Sequence, residues 1–170
     1  MPDEASNGAA ALVLADQRMY AHKGYGRASA KQQTRDLVLH VLAERRPELR
    51  EHVGEVAALA RTTGERLGLG DTELDEIERA AELHDIGKIA IPDAILDKSG
   101  PLDEEEWRFM RRHTLIGEAM LNAAPALTSV AKIVRSSHER FDGSGYPDAL
   151  AADAIHSPAA SCSSATPSTP

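Results

Sequence analysis

Along most of the chain, apolar residues recur at three- and four-residue steps, and histidines fall on the same side of the pattern. That period belongs to helices half-sunk in a core. From Glu48 to Leu67 the stripe runs through Leu49, Val53, Val56, Ala60 and Leu67, with His52 beside it. After GLGDT, where Asp71 or Thr72 supplies a cap, Leu74, Ile77, Ala80, Ala81 and His84 share one face until Gly87 stops the helix. IPDAILDKSGPL reads as a loop with one short helical turn. Asp103 and Glu106 then fit a capping box, and Leu102 and Trp107 have the spacing of a hydrophobic staple. That helix is expected to run through His113 to about Asn122, and a last one to carry Leu127, Val130, Val134 and His138. The expected fold class is all-α.

Composition narrows the rest. A chain of 170 residues holds one compact domain with modest extensions, and an aromatic content of only 4 % beside 42 % apolar residues fits packed helices. A net charge of −8 argues against a basic face gripping duplex nucleic acid. The single cysteine, Cys162, leaves neither a disulfide framework nor a thiolate metal site, so any metal must be held by histidine and carboxylate. The longest apolar run, Ala9 to Ala15, is too short for a membrane span and lacks the basic start of a secretion signal. A soluble, cytoplasmic protein is expected. Residues 9 to 22 can form an amphipathic helix, residues 31 to 46 read as a helical connector before Pro47, and the Ala/Ser/Thr/Pro tail from Ala151 reads as disordered.

Four of the seven histidines, His52, His84, His113 and His138, lie on or next to the apolar stripe of a different helix. One histidine so placed is more often a core or capping residue than a ligand. Four of them beside Asp85 point elsewhere, because buried imidazoles near one another need something electron-accepting between them. A divalent cation supplies that. Imidazole with carboxylate suits iron, manganese, zinc or nickel, and the two oxygens of Asp85 can bridge a pair of ions, an arrangement that clamps both oxygens in phosphoryl chemistry. Lys88, one turn past His84, either meets a phosphate oxygen or rests as a lysine at a helix C-terminus. His22, His40 and His156 carry no such setting. Glu48 precedes His52 by four residues, and its reading stays open between a ligand and a solvated helix-start acid.

HDIGK, RRHTLIG and HERFDGSGYPDAL together resemble the HD-GYP family, a branch of the HD metal-dependent phosphohydrolases, from about Glu48 to Leu150. The resemblance implies His52 as first ligand, His84 and Asp85 as the HD pair, and His113 and His138 as further ligands. Asp85 and Lys88 would carry the catalytic roles. It implies an all-helical domain with two or three ions, iron or manganese foremost, hydrolysing cyclic di-GMP to pGpG or GMP. The loop with Asp142, Gly143, Gly145, Tyr146 and Pro147 would serve substrate access and partner contacts. ALVLADQRMYAHKGYGR looks like the final helix of a GGDEF domain, so the expected organisation is a GGDEF remnant over 1–30, a connector over 31–47, an incomplete HD-GYP domain over 48–150 and a tail over 151–170.

Two departures from the family pattern stand out. Family members usually read HHE where this chain has Ser137-His138-Glu139, which replaces a second-metal ligand by a hydroxyl. The family's closing aspartate, in a stretch resembling ARVVxVxDAFDA soon after GYPDGLxGxxIP, has no counterpart here. A frame change near Ile155 to Ser157 is the expected cause. With TCN serine codons, the shifted frame from Ala160 permits RVVFVCDAFDA, and incompatible codons would end the idea. The expected function is thus a weakened or inactive cyclic di-GMP phosphodiesterase. The alternatives are a non-catalytic module presenting its GYP loop to GGDEF proteins, or an HD phosphohydrolase acting on ordinary nucleotides.

Overall fold

The computed structural model describes residues 32–42, 44 and 53–155, and their regular structure is helical. Helix α1 covers residues 32–42. It is followed by α2 (Val53–Arg66), α3 (Asp71–Leu83), α4 (Asp93–Leu96), α5 (Glu104–Arg111), α6 (His113–Asn122) and α7 (Thr128–Arg135). Short 3-10 turns occur at Ile86–Ala90, Pro125–Leu127 and Ala152–Ala154. Among the described residues there is no strand, only an isolated bridge between Asp142 and Ala151. No helix among them is long and apolar enough to cross a membrane.

Helix α3 is the centre of the packing. Its stripe of Leu74, Ile77, Ala80 and Ala81 is buried together with Leu83, and it lies against α2 and α7, while α7 also packs on α6. Val130, Ala131 and Val134 bring α7 into the same cluster. Each large aliphatic side chain taken out of water there contributes about 1.5–3 kcal/mol. Ion pairs on the outside, such as Arg61 with Glu78 at 2.7 Å, join α2 to α3 and add little by comparison.

Several details differ from the sequence expectation. Residues 32–42 are more than a connector, since Leu42 is buried in the main cluster with Val38 and Leu39 packed against it. The cap of α3 is Gly70, whose N–H is taken by the Glu73 carboxylate at 3.0 Å, rather than Asp71 or Thr72. That helix ends at Leu83, and Gly87 sits inside the following 3-10 turn. Leu67, expected on the buried stripe, is 64 % exposed because the chain has left α2 by then. His138 lies beyond α7, in the turn that follows it. Residues 151–155, assigned to a disordered tail, form the bridge and the last 3-10 turn, and Ile155 is buried in the core. The capping box at Asp103 and Glu106 is present, at 2.9 and 2.8 Å.

The expected single helix through His113 is two. At Arg112 the backbone N–H turns to the Phe109 carbonyl at 3.0 Å, and α6 starts afresh at His113. The start of α6 meets the turn after α3 at very close range. A β-carbon on Gly87 would lie 1.9 Å from the His113 carbonyl oxygen and 2.7 Å from the Gly117 nitrogen. Only glycine fits where two backbones approach so closely.

The loop after α7 is tied back to the helices by a buried carboxylate. Glu139 is 1 % exposed, and its two oxygens accept the N–H groups of Asp148 at 2.7 Å and Leu150 at 2.9 Å. Arg135 on α7 donates to Glu118 on α6 and to both oxygens of Asp148 in the loop. Gly145 passes so near Glu139 and Arg140 that a β-carbon would stand 2.3 Å from the Arg140 nitrogen. Two alanines in this region, Ala149 at φ 53° and Ala152 at φ 48°, occupy the left-handed region, which disfavours a side chain by about 1–2 kcal/mol.

Gly87→Ala is therefore expected to destabilise the fold by about 3 kcal/mol or more in urea unfolding, since neither backbone can rotate away. Gly54→Ala, at a helical position with open space around it, leaves stability unchanged or raises it by up to about 1 kcal/mol. Equal effects at the two sites would contradict this packing. Ala149→Gly and Ala152→Gly each raise stability by roughly 1 kcal/mol, the relieved strain exceeding the added unfolded-state entropy; a loss in both would show that the loop is not held in this conformation.

Candidate metal centre

Four side chains from three parts of the bundle converge. His84 caps the C-terminus of α3, Asp85 follows it, His113 opens α6, and His138 stands in the turn after α7. The contact at Gly87 makes this meeting close: His113 Nε2 is 3.5 Å from Asp85 Oδ1, and His84 Nε2 is 3.4 Å from Asp85 Oδ2. The His138 ring lies edge-on to His113, with centroids 4.9 Å apart, and 6.0 Å from His84. His84, Asp85 and His138 each offer a donor atom within 4.8 Å of the others.

Local backbone sets the tautomers. His84 Nδ1 donates to the Ala81 carbonyl at 2.8 Å, and His113 Nδ1 donates to the Met110 carbonyl at 2.7 Å. A carbonyl only accepts, so each Nδ1 carries a proton, and in the neutral form of the ring the lone pair is left to Nε2. Each bond spans three residues, the reach a histidine has to its preceding helical turn. Such second contacts orient a ligand and raise its basicity.

The electrostatics favour donors over charges. Burial opposes ionisation of Asp85, yet the pull of His84, Lys88 and His113 and the Lys88 hydrogen bond outweigh it and hold the carboxyl down to about 2. Lys88 Nζ donates to Asp85 Oδ2 at 2.8 Å. Burial keeps His113 below the usual imidazole range despite Asp85 and the Met110 carbonyl, with Lys88 and His84 adding to the effect. His138 is pushed down to about 3 by burial, then by His113 and His84. Both imidazoles are thus neutral at physiological pH.

The neutral His113 Nε2 and the ionised Asp85 carboxylate both present lone pairs, and lone pairs 3.5 Å apart repel unless something electron-poor lies between them. Asp85 Oδ1, His113 Nε2 and His138 Nε2 are buried without a hydrogen-bond partner. Three buried polar atoms without partners at one spot are costly for a folded core. The donor set fits a borderline divalent ion such as iron, manganese, zinc or nickel, which His84, Asp85 and His138 would hold with His113 beside Asp85.

The remaining sequence candidates fall in different places. His52 and Glu48 lie outside the described residues, as do His22 and His156. His40 is exposed on α1 and is not among the clustered donors. Ser137 is fully buried and its hydroxyl donates to the Val134 carbonyl at 2.9 Å. In the loop, Tyr146 stacks on His138 with centroids 4.9 Å apart and planes at 7°, and its N–H donates to the His138 carbonyl. Burial and the Asp85 charge, against a smaller opposing pull from Arg111, push the Tyr146 phenol up to about 12. Asp142 turns inward to Ser144, accepting its N–H at 2.9 Å and its hydroxyl at 2.6 Å, and Gly143 follows at φ 76°. Pro147 is half-buried after a cis bond to Tyr146.

Two residues with evident roles in this arrangement escape sequence reasoning. Glu139 reads as a solvated acid beside a ligand, and only the folded loop shows it receiving two backbone N–H groups. Arg111 reads as one of several helix cations. Its signal was the four-residue step from Trp107, the spacing at which a guanidinium reaches an aromatic face.

A family profile described as HD domain matches residues 36–160. The chain is 47 % identical over 107 residues to the cyclic di-GMP phosphodiesterase response regulator RpfG of Xanthomonas campestris, covering 62 % of this chain and 28 % of that protein. It is 44 % identical over 116 residues to a cyclic di-GMP phosphodiesterase of Thermotoga maritima, covering 66 % of this chain and 32 % of that one. It is also 45 % identical over 106 residues to the 3'3'-cGAMP-specific phosphodiesterase 2 of Vibrio cholerae, covering 61 % and 20 %. The chain thus spans between about a fifth and a third of the length of these curated relatives. With its histidine and aspartate donors gathered as described and the GYP loop folded over one of them, the chain belongs to the HD-domain family, in its HD-GYP branch.

Proposed function

We propose that this chain forms the metal site of a phosphodiesterase acting on a cyclic dinucleotide, cyclic di-GMP foremost. The reading rests on one observation above the others: Asp85 Oδ1, His113 Nε2 and His138 Nε2 are buried, unpartnered and close together. Two relatives are named for cyclic di-GMP and one for 3'3'-cGAMP, so a cyclic dinucleotide is the chemistry they share. Divalent ions, when held there, supply the Lewis acidity that phosphodiester hydrolysis needs.

The chain's own residues divide the rest of the work. Asp85 stays ionised through the physiological range and offers two oxygens for a pair of ions. Lys88 holds one of those oxygens and presents its ammonium to a phosphate oxygen as charge develops. His84 and His113 are pinned by their Nδ1 bonds, so their donor atoms need no reorganisation. Tyr146 covers the His138 ring and keeps water from that side of the donor set.

A second reading, a binding module that no longer turns substrate over and engages GGDEF-domain partners, draws on Ser137. Where the family pattern has a histidine, this hydroxyl donates into the backbone at Val134 and is a poor ligand. Loss of a supporting ligand shell typically lowers metal affinity or activity about 10–100-fold.

Incubation of the manganese- or iron-loaded chain with cyclic di-GMP separates the two. Turnover to pGpG or GMP that disappears in EDTA and in Asp85→Asn supports the enzyme, and Ser137→His is then expected to raise metal affinity and rate by about 10–100-fold. Binding without turnover, unchanged by Ser137→His, supports the module. A loaded chain that neither binds nor hydrolyses the dinucleotide contradicts both.

A further inference from the structure

One exposed cation stands beside the site without an acidic partner among the described residues. Arg111, the last residue of α5, holds its guanidinium carbon 5.6 Å from the Tyr146 ring centroid and 5.9 Å from that of Trp107. Among the described residues its guanidinium makes no ion pair and no hydrogen bond, whereas Lys88, Arg61 and Arg135 are each matched to a carboxylate. Arg66, Arg108 and Arg112 are likewise without an ion pair among the described residues, so what sets Arg111 apart is its place over Tyr146 rather than its lack of a carboxylate. The stacking partner supplies the direction. Tyr146 is itself stacked on His138, so the guanidinium is linked to the metal centre through a single ring.

A guanidinium flanked by aromatic faces keeps its planar fork free at the edge, the geometry that takes two oxygens of one phosphate. Lys88 cannot serve a distant phosphate, since it is bound to Asp85. A cyclic dinucleotide carries two phosphodiesters, and when one is placed at the His/Asp cluster the other remains charged and outside it. We infer that Arg111, held over Tyr146 and Trp107 beside the metal centre, binds the phosphate of the substrate that is not being cleaved. The inference deepens the cyclic dinucleotide reading and rests on it. Arg111 is here a specificity residue: it favours substrates with a second phosphate over those with one.

The experiment uses the full chain, loaded with manganese, and compares equilibrium binding of cyclic di-GMP with that of 3',5'-cyclic GMP, which has the same base and one phosphate. Arg111→Gln removes the charge at an exposed position where folding is not at stake, as circular dichroism verifies. It is expected to weaken cyclic di-GMP about 10- to 100-fold, the loss of a charged hydrogen-bond pair, and to change cyclic GMP by less than about twofold. Arg111→Lys keeps the charge without the fork and should fall between the two. Equal weakening of both ligands overturns the inference, because it would mean that Arg111 reads the base or merely supports Tyr146. Unchanged affinity for cyclic di-GMP overturns it as well. If the unsubstituted chain binds cyclic GMP but not cyclic di-GMP, the substrate reading itself fails and this role falls with it.

Discussion

Everything at this centre depends on how closely two pieces of backbone approach at Gly87. The 3-10 turn after α3 rests on the first turn of α6, with the missing side chain of Gly87 leaving room for the His113 carbonyl. Gly117, one turn along α6, is less confined, a β-carbon there standing 3.2 Å from a Val134 methyl and 3.3 Å from an Ile86 methyl. These two glycines let α3 and α6 bring Asp85 and His113 within 3.5 Å while α7 closes the far side. A larger residue at Gly87 would separate donors that chemistry requires together.

Placement alone would leave a costly hole. Burial strips His113 and His138 of charge, and the Asp85 carboxylate, kept ionised mainly by its cationic and imidazole neighbours, adds a third lone-pair donor. The helix ends do the orienting, since the carbonyls of Ala81 and Met110 each take one imidazole proton. Glu139 then fastens the returning loop by two backbone N–H groups, which sets Tyr146 flat against His138. Site and loop are therefore one mechanical unit.

How much of this could be read from the sequence follows from how local each feature is. The α3 stripe and the Asp103/Glu106 box were legible, because both are periodicities or pairs within a few residues. The break at Arg112 was not, as no glycine or proline marks it and the turn is imposed by packing at Gly87. Asp85 with His84, His113 and His138 was legible as a set only because histidines on several apolar stripes are hard to explain singly. Their distances were not, and neither was the stack of Tyr146 on His138, which needs the whole loop to close. The strained alanines at 149 and 152 stand where the family stretch GYPDGLxGxxIP has glycine, so that pattern held a trace of the left-handed turns.

The central claim is that orphaned donors on three parts of a helical bundle exist to hold a cation. Anomalous diffraction from crystals of the chain grown with manganese, recorded above and below the metal edge, addresses it directly. The account predicts a peak at about 2.0–2.2 Å from Nε2 of His113 or His138 and from an oxygen of Asp85. Crystals with full manganese peaks elsewhere and only water, or the Lys88 ammonium, among these side chains would contradict it.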